Sequence, residues 1–147
     1  MKITPNFTLK ELIQSDTAQA KQINNMPGYE QVAALKALCE NILQPLREHL
    51  QKPVHIKSGY RSPELNRAIG GSSTSDHCAG RAADIKVDGL TAKELARIIL
   101  DLKLPFDQLI GYVPERGGHI HISFRKGSNR SQTLWAGSSG GYETWKL

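Results

Sequence analysis

A chain of 147 residues with 39% apolar and 22% charged residues is long enough to bury a core of its own, which excludes a disordered segment and a fold that depends on disulfides or metal. The formal charge of +5 fits an anionic partner, but lysine and arginine are scattered along the chain with no dense basic run, so nucleic acid is not expected. No apolar run approaches the roughly 20 residues of a membrane helix, and residues 1–7 lack the apolar centre of a secretory signal. The expectation is therefore a protein made in the cytoplasm without a visible signal peptide and with no membrane contact; a monomer is expected, though nothing in the sequence sets the oligomeric state.

Thr8-Leu9-Lys10-Glu11 has capping-box spacing and predicts a short helix, with Phe7 as its staple residue. Residues 18–29 carry no period and end in the turn chemistry of Asn24-Asn25-Met26-Pro27-Gly28, which predicts a loop. Val32, Leu35, Leu38, Cys39, Ile42, Leu43, Leu46 and Leu50 recur at three- and four-residue steps and predict one long amphipathic helix, with Pro45 as a kink point. Residues 54–58 alternate as a strand, Gly59-Tyr60 turns, and Ser62-Pro63-Glu64-Leu65 opens a helix with a serine cap. Residues 70–75 form a Gly/Ser loop whose backbone amides face a ligand.

In residues 82–87 a strand places Ala83, Ile85 and Val87 on one face and Asp84 on the other. Thr91-Ala92-Lys93-Glu94 is a second capping box, for a helix with Leu95, Ile98, Ile99 and Leu102 inward and Pro105 at its end. Residues 107–113 and 119–124 predict a hairpin across a Gly-containing loop. Residues 135–147 read as a Ser/Gly-rich tail outside a domain of residues 1–134, with Trp135, Tyr142 and Trp145 as anchors. Cys39 and Cys78 are expected as free thiols. The order of elements predicts an α+β domain with a mainly antiparallel sheet packed with helices, because the last connection is too short for a parallel crossover.

Three of the five histidines fall in two stretches, Ser75 to Ile85 and Gly118 to Phe124. In the second, alternation puts His119, His121 and Ser123 on one face and Ile120, Ile122 and Phe124 on the other. His77, Asp84 and His121 offer two imidazoles and a carboxylate, a set suited to zinc with one position left open. His119, two residues from His121, is placed to exchange a proton. Arg61 offers a planar fork to a carboxylate or a developing oxyanion. His49 and His55 read as structural or solvated, and the Cys78 thiol has nothing that marks it as activated.

Ser58-Gly59-Tyr60-Arg61-Ser62, the pattern of Ser75, His77, Gly80, Ala82 and Asp84, and His121 together resemble the zinc D-alanyl-D-alanine carboxypeptidase family. That family includes phage endolysin L-alanyl-D-glutamate peptidases and shares the hedgehog/DD-peptidase fold. The resemblance runs from about Phe7 to Leu134. It implies zinc on His77, Asp84 and His121, Arg61 against substrate, and hydrolysis of a peptide bond in the peptidoglycan stem peptide. With no visible signal peptide to carry such an enzyme to the wall, a phage or prophage origin is expected. Many members carry a catalytic glutamate three residues before the last histidine, where this chain has Gly118. His119 resembles the His-x-His arrangement of related endopeptidases and takes the proton-transfer role, with Glu115 and Asp107 as fallback acid-base groups. A non-catalytic, zinc-containing wall-binding module of the same fold is the second reading.

Overall fold

The computed structural model describes residues 1–147. Strands β1 (Lys2–Thr4) and β2 (Phe7–Thr8) form a small hairpin that leads into α1 (Leu9–Ile13). The capping box forms as expected: the Glu11 amide donates to Thr8 Oγ1 at 3.3 Å, and the Thr8 amide donates to Glu11 Oε1 at 2.8 Å. Phe7 and Leu12 are both in the core cluster. A second short helix, α2 (Asp16–Ala20), occupies part of the stretch expected to be loop. Ser15 caps it by accepting from the Ala18 amide at 3.1 Å, a local signal that a search for apolar periodicity passes over.

The long helix runs as α3 (Tyr29–Leu38), a π-helical turn (Cys39–Leu43) and α4 (Gln44–Leu50). Pro45 has no N–H, and its ring crowds the carbonyl four residues back. The wider turn just before it accommodates this, with the Gln44 amide reaching five residues back to the Cys39 carbonyl. Leu35, Leu38, Ile42, Leu43 and Leu46 are fully buried along one stripe of this helix.

Beside it lies a six-stranded sheet in the order β3-β4-β6-β5-β7-β8. Its strands are β3 (His55–Ser58), β4 (Ala82–Lys86), β5 (Gln108–Tyr112), β6 (Ile120–Ser123), β7 (Gln132–Ala136) and β8 (Glu143–Thr144). Helix α5 (Pro63–Ala68) follows β3, capped by Ser62, and α6 (Ala92–Asp101) follows β4, opened by the second capping box. The sheet is antiparallel except for β5 with β7, so the α+β, mainly antiparallel class holds. Helix α6 stops at Asp101, ahead of Pro105, and Lys103 turns the chain at φ 54°. Both cysteines are free, and no helix is long and apolar enough to cross a membrane.

The boundary expected at residue 134 falls inside β7. The last strands are part of the sheet, and Trp145 is 8% exposed and belongs to the core. Its indole sits 4.8 Å from that of Trp135, and both lie over Gly111, where a Cβ would come within 2.4 Å of the Trp145 ring. The Trp145 amide and carbonyl are both bonded to Thr133, at 3.0 and 2.8 Å. Isolated aromatics among serines and glycines give no period, which is why the segment read as a tail. Trp145→Ala is expected to cost about 3–5 kcal/mol of stability, read as a lower urea midpoint with unchanged slope; a loss below about 1 kcal/mol would make these strands an appendage.

Candidate active site

The site is built on the face of the sheet opposite the core. Asp84 in β4 pairs directly with His121 in β6, and their neighbours Ala83, Ile85, Ile120 and Ile122 are fully buried on the other face. Strand alternation therefore delivers the carboxylate and the imidazole to one side. His77 enters from a 3-10 turn (Asp76–Ala79) closed by Gly80 in the left-handed conformation at φ 75°. That glycine also lets the turn touch α3, since a Cβ would come 2.5 Å from the Gln31 carbonyl oxygen.

His77 Nε2 lies 3.3 Å from Asp84 Oδ1, and His121 Nδ1 lies 3.1 Å from the same oxygen. Tetrahedral zinc with bonds of about 2.0–2.1 Å holds neighbouring ligand atoms roughly 3.3–3.4 Å apart. The three donor atoms, all within 4.8 Å of one another, fit that ion without rearrangement of the backbone. His77 Nδ1 is 2.7 Å from the Gly59 carbonyl, which can only accept, so Nδ1 carries the proton and Nε2 is left free as a ligand. Burial pushes the Asp84 carboxyl up, but the neighbouring His121 and His77 outweigh it and hold it well below the usual range.

His119 joins the same face, with Nε2 3.9 Å from Asp84 Oδ2. Its ring is stacked on Tyr112 at 4.4 Å and 18°, and Gly117 leaves room for its Nδ1 edge, where a Cβ would come within 2.6 Å. Burial pushes His119 below its ordinary value; Asp84 opposes this, and His121, Lys86 and His77 add to it.

Arg61 lines the same groove, which has a volume of about 590 Å³. Its Nη2 donates to Ser75 Oγ at 3.3 Å, while Nε is buried without a hydrogen-bond partner. The turn that presents it is held by the Asn25 side chain, which donates to the Ile13 and Tyr60 carbonyls and accepts from the Ser62 amide. The two fallback groups lie outside the groove. Glu115 accepts from Ser138, and Asp107 is bound by Arg130 and Arg125. His49 is unconnected to the cluster, and His55 faces Asp88 at the exposed edge.

Two residues of the groove were not expected from sequence, Tyr112 and Tyr142, whose hydroxyls are 3.3 Å apart. Arg116 lies over both rings and donates to the Gly137 and Gly141 carbonyls, tying the last loop to the rim. The alternation of β5 put Tyr112 on the same face as Ile110, and that signal was available. Nothing in the sequence links Tyr142 to it.

The protein-family model described as Peptidase M15 matches residues 5–123, which span the ligand cluster, Arg61 and His119. The chain belongs to the peptidase M15 family. No curated protein matches it. M15 peptidases are zinc-dependent, and His77, Asp84 and His121 are the residues here that can hold the ion. The mixed sheet with flanking helices is consistent with the M15 fold. The match ends at Ser123, so β7, β8 and Tyr142 lie beyond it.

Replacing His77 or His121 by alanine is expected to abolish stoichiometric zinc in dialysed protein measured by atomic absorption, while His119→Ala retains about one equivalent. Retention of full zinc by the His121 variant would rule out this ligand set.

Proposed function

We propose that the protein is a zinc peptidase that hydrolyses a peptide bond in the bacterial peptidoglycan stem peptide. The bond is of the D-Ala-D-Ala carboxypeptidase or the L-Ala-D-Glu endopeptidase type. The observation that carries this reading is the convergence of His77, Asp84 and His121 with His119 and Arg61 in one groove of an M15 chain.

Zinc, when bound, polarises a carbonyl and makes water acidic enough to attack near neutral pH. The chain's own groups supply the remainder. His119, held neutral by its burial, accepts a proton at Nε2, the ring atom that faces the ligand cluster, and returns it to the departing amine. Tyr112 fixes the plane of that ring by stacking, so the proton moves along one direction. Arg61, which lines the groove, donates to the developing oxyanion or to a substrate carboxylate. Asp84 would supply the carboxylate ligand beside the two imidazoles.

The partner is the peptide of the cell wall, met by a monomer that reaches the wall in the course of a phage or prophage cycle. The second reading, a wall-binding module without catalysis, draws on Gly118 standing where many relatives have glutamate. It predicts binding to peptidoglycan with no new amine termini.

With purified peptidoglycan as substrate, His119→Ala is expected to lower the rate about 10²–10⁴-fold while zinc is retained, and His121→Ala to lose both. Mass spectrometry of the released fragments identifies the bond. Unchanged hydrolysis in both variants would end the assignment, and wall binding without hydrolysis by the wild type would establish the second reading.

A further inference from the structure

Outside the metal groove, the sheet carries a second depression, of about 480 Å³, where β4 begins and β6 ends. Four cations line it: Arg81, Arg125, Lys126 and Arg130. Its floor is Phe124 and the alanines of α3, and Tyr29, 90% exposed, stands at its rim beside Glu30. Two of the arginines are held in place from below. Asp107, 1% exposed, accepts from the Arg130 amide, Nε and Nη2 at 2.9, 3.1 and 2.8 Å, and lies 3.4 Å from Arg125 Nε. Arg130 holds the Asp107 carboxyl below its ordinary value against the opposing effect of burial, and Arg125 adds to the lowering. Burying a carboxylate is costly unless its partners are fixed. Here that fixation sets two planar guanidinium forks at the wall of an open groove, next to two exposed cations that neither bond to Asp107 nor have an acid of their own.

The two depressions share a wall. Arg125 Nη2 donates to Asp76 Oδ1 at 3.2 Å, and Asp76 lines the metal groove. Arg81 immediately precedes β4, three residues from Asp84, and Phe124 immediately follows β6, three from His121; the odd step turns both to the face opposite the ligands. At about 3.3 Å per residue the separation is roughly 10 Å, the span of three extended residues. The basic groove therefore lies around the strand ends from the ligand cluster, and a peptide would pass between the two at the Arg125–Asp76 contact.

We propose that this basic groove is a second subsite that takes carboxylates of the same peptidoglycan polymer, seating their chain against Phe124 and Tyr29 and their charge against Arg81, Lys126 and the paired arginines. It rests on the function proposed above and names the part of the substrate that lies beyond the cleaved bond.

The test measures co-sedimentation of zinc-loaded, full-length His119→Ala protein with peptidoglycan stripped of phosphate-bearing polymers. It is run with and without the further changes Arg81→Ala and Lys126→Ala. Both side chains are exposed and outside the Asp107 network, so the fold is retained. The expected result is half-saturation raised about 3–10-fold, the effect of two exposed ion pairs. After the wall carboxyls are amidated, the two proteins should bind alike. Equal binding to the unmodified wall would overturn the proposal. So would a difference that survives amidation, or one that appears only when phosphate polymers are left in place. Failure of the wild type to hydrolyse the same stripped wall would instead overturn the proposed function, leaving the carboxylate-dependent binding to be judged by itself.

Discussion

The register between β4 and β6 is the constraint on which the site depends. Asp84 lies opposite His121 because Ala83 lies opposite Ile122 and Ile85 opposite Ile120. All four apolar partners are fully buried, and each isoleucine side chain contributes about 1.5–3 kcal/mol by leaving water. A slip of one residue would turn the carboxylate into the core and the isoleucines into the groove, so the packing of the reverse face enforces the ligand geometry. The core and the metal cluster are two faces of one pairing.

The third ligand is fixed by a different route, through β3 and the N-terminal helices. Gly59 follows β3, and its carbonyl orients His77. The same residue must approach α1 closely: the Tyr60 amide donates to the Leu12 carbonyl at 2.8 Å, and a Cβ on Gly59 would lie 2.1 Å from that oxygen. Any larger residue would push the turn outward and take both the His77 acceptor and Arg61 with it. Asn25 closes the arrangement from the other side, satisfying three backbone groups with one amide. The first quarter of the chain, which has no residue in the groove, thus acts on the chemistry by holding a turn in place.

Much of this was legible because its signals are local. Both capping boxes, the serine cap before α5, and the alternation that sends Asp84, His119 and His121 to one face each occupy a few consecutive residues. What escaped was set by contacts distant in sequence. β7 is recognised as a strand only through its parallel pairing with β5, from Gln108↔Gln132 to Tyr112↔Ala136, and Trp145 only through the space left by Gly111. The basic residues looked scattered because Arg81 and the group at 125–130 are far apart along the chain, yet adjacent strand ends bring them into one groove. Counting charges along a sequence measures spacing in one dimension, whereas a field depends on spacing in three.

Gly118 has a physical reason in the hairpin loop. Its φ is +65°, a conformation that glycine adopts at little cost, and a Cβ built there would face the Pro114 backbone and Lys86 at 3.5 and 3.9 Å. A glutamate at this position would be strained and would start out towards Lys86, away from the ligand cluster. Strand alternation from Gly118 onward instead gives the groove face to His119, for which Gly117 clears space and Tyr112 supplies a stacking surface. The loop's two consecutive left-handed glycines bring an imidazole to the ligand cluster.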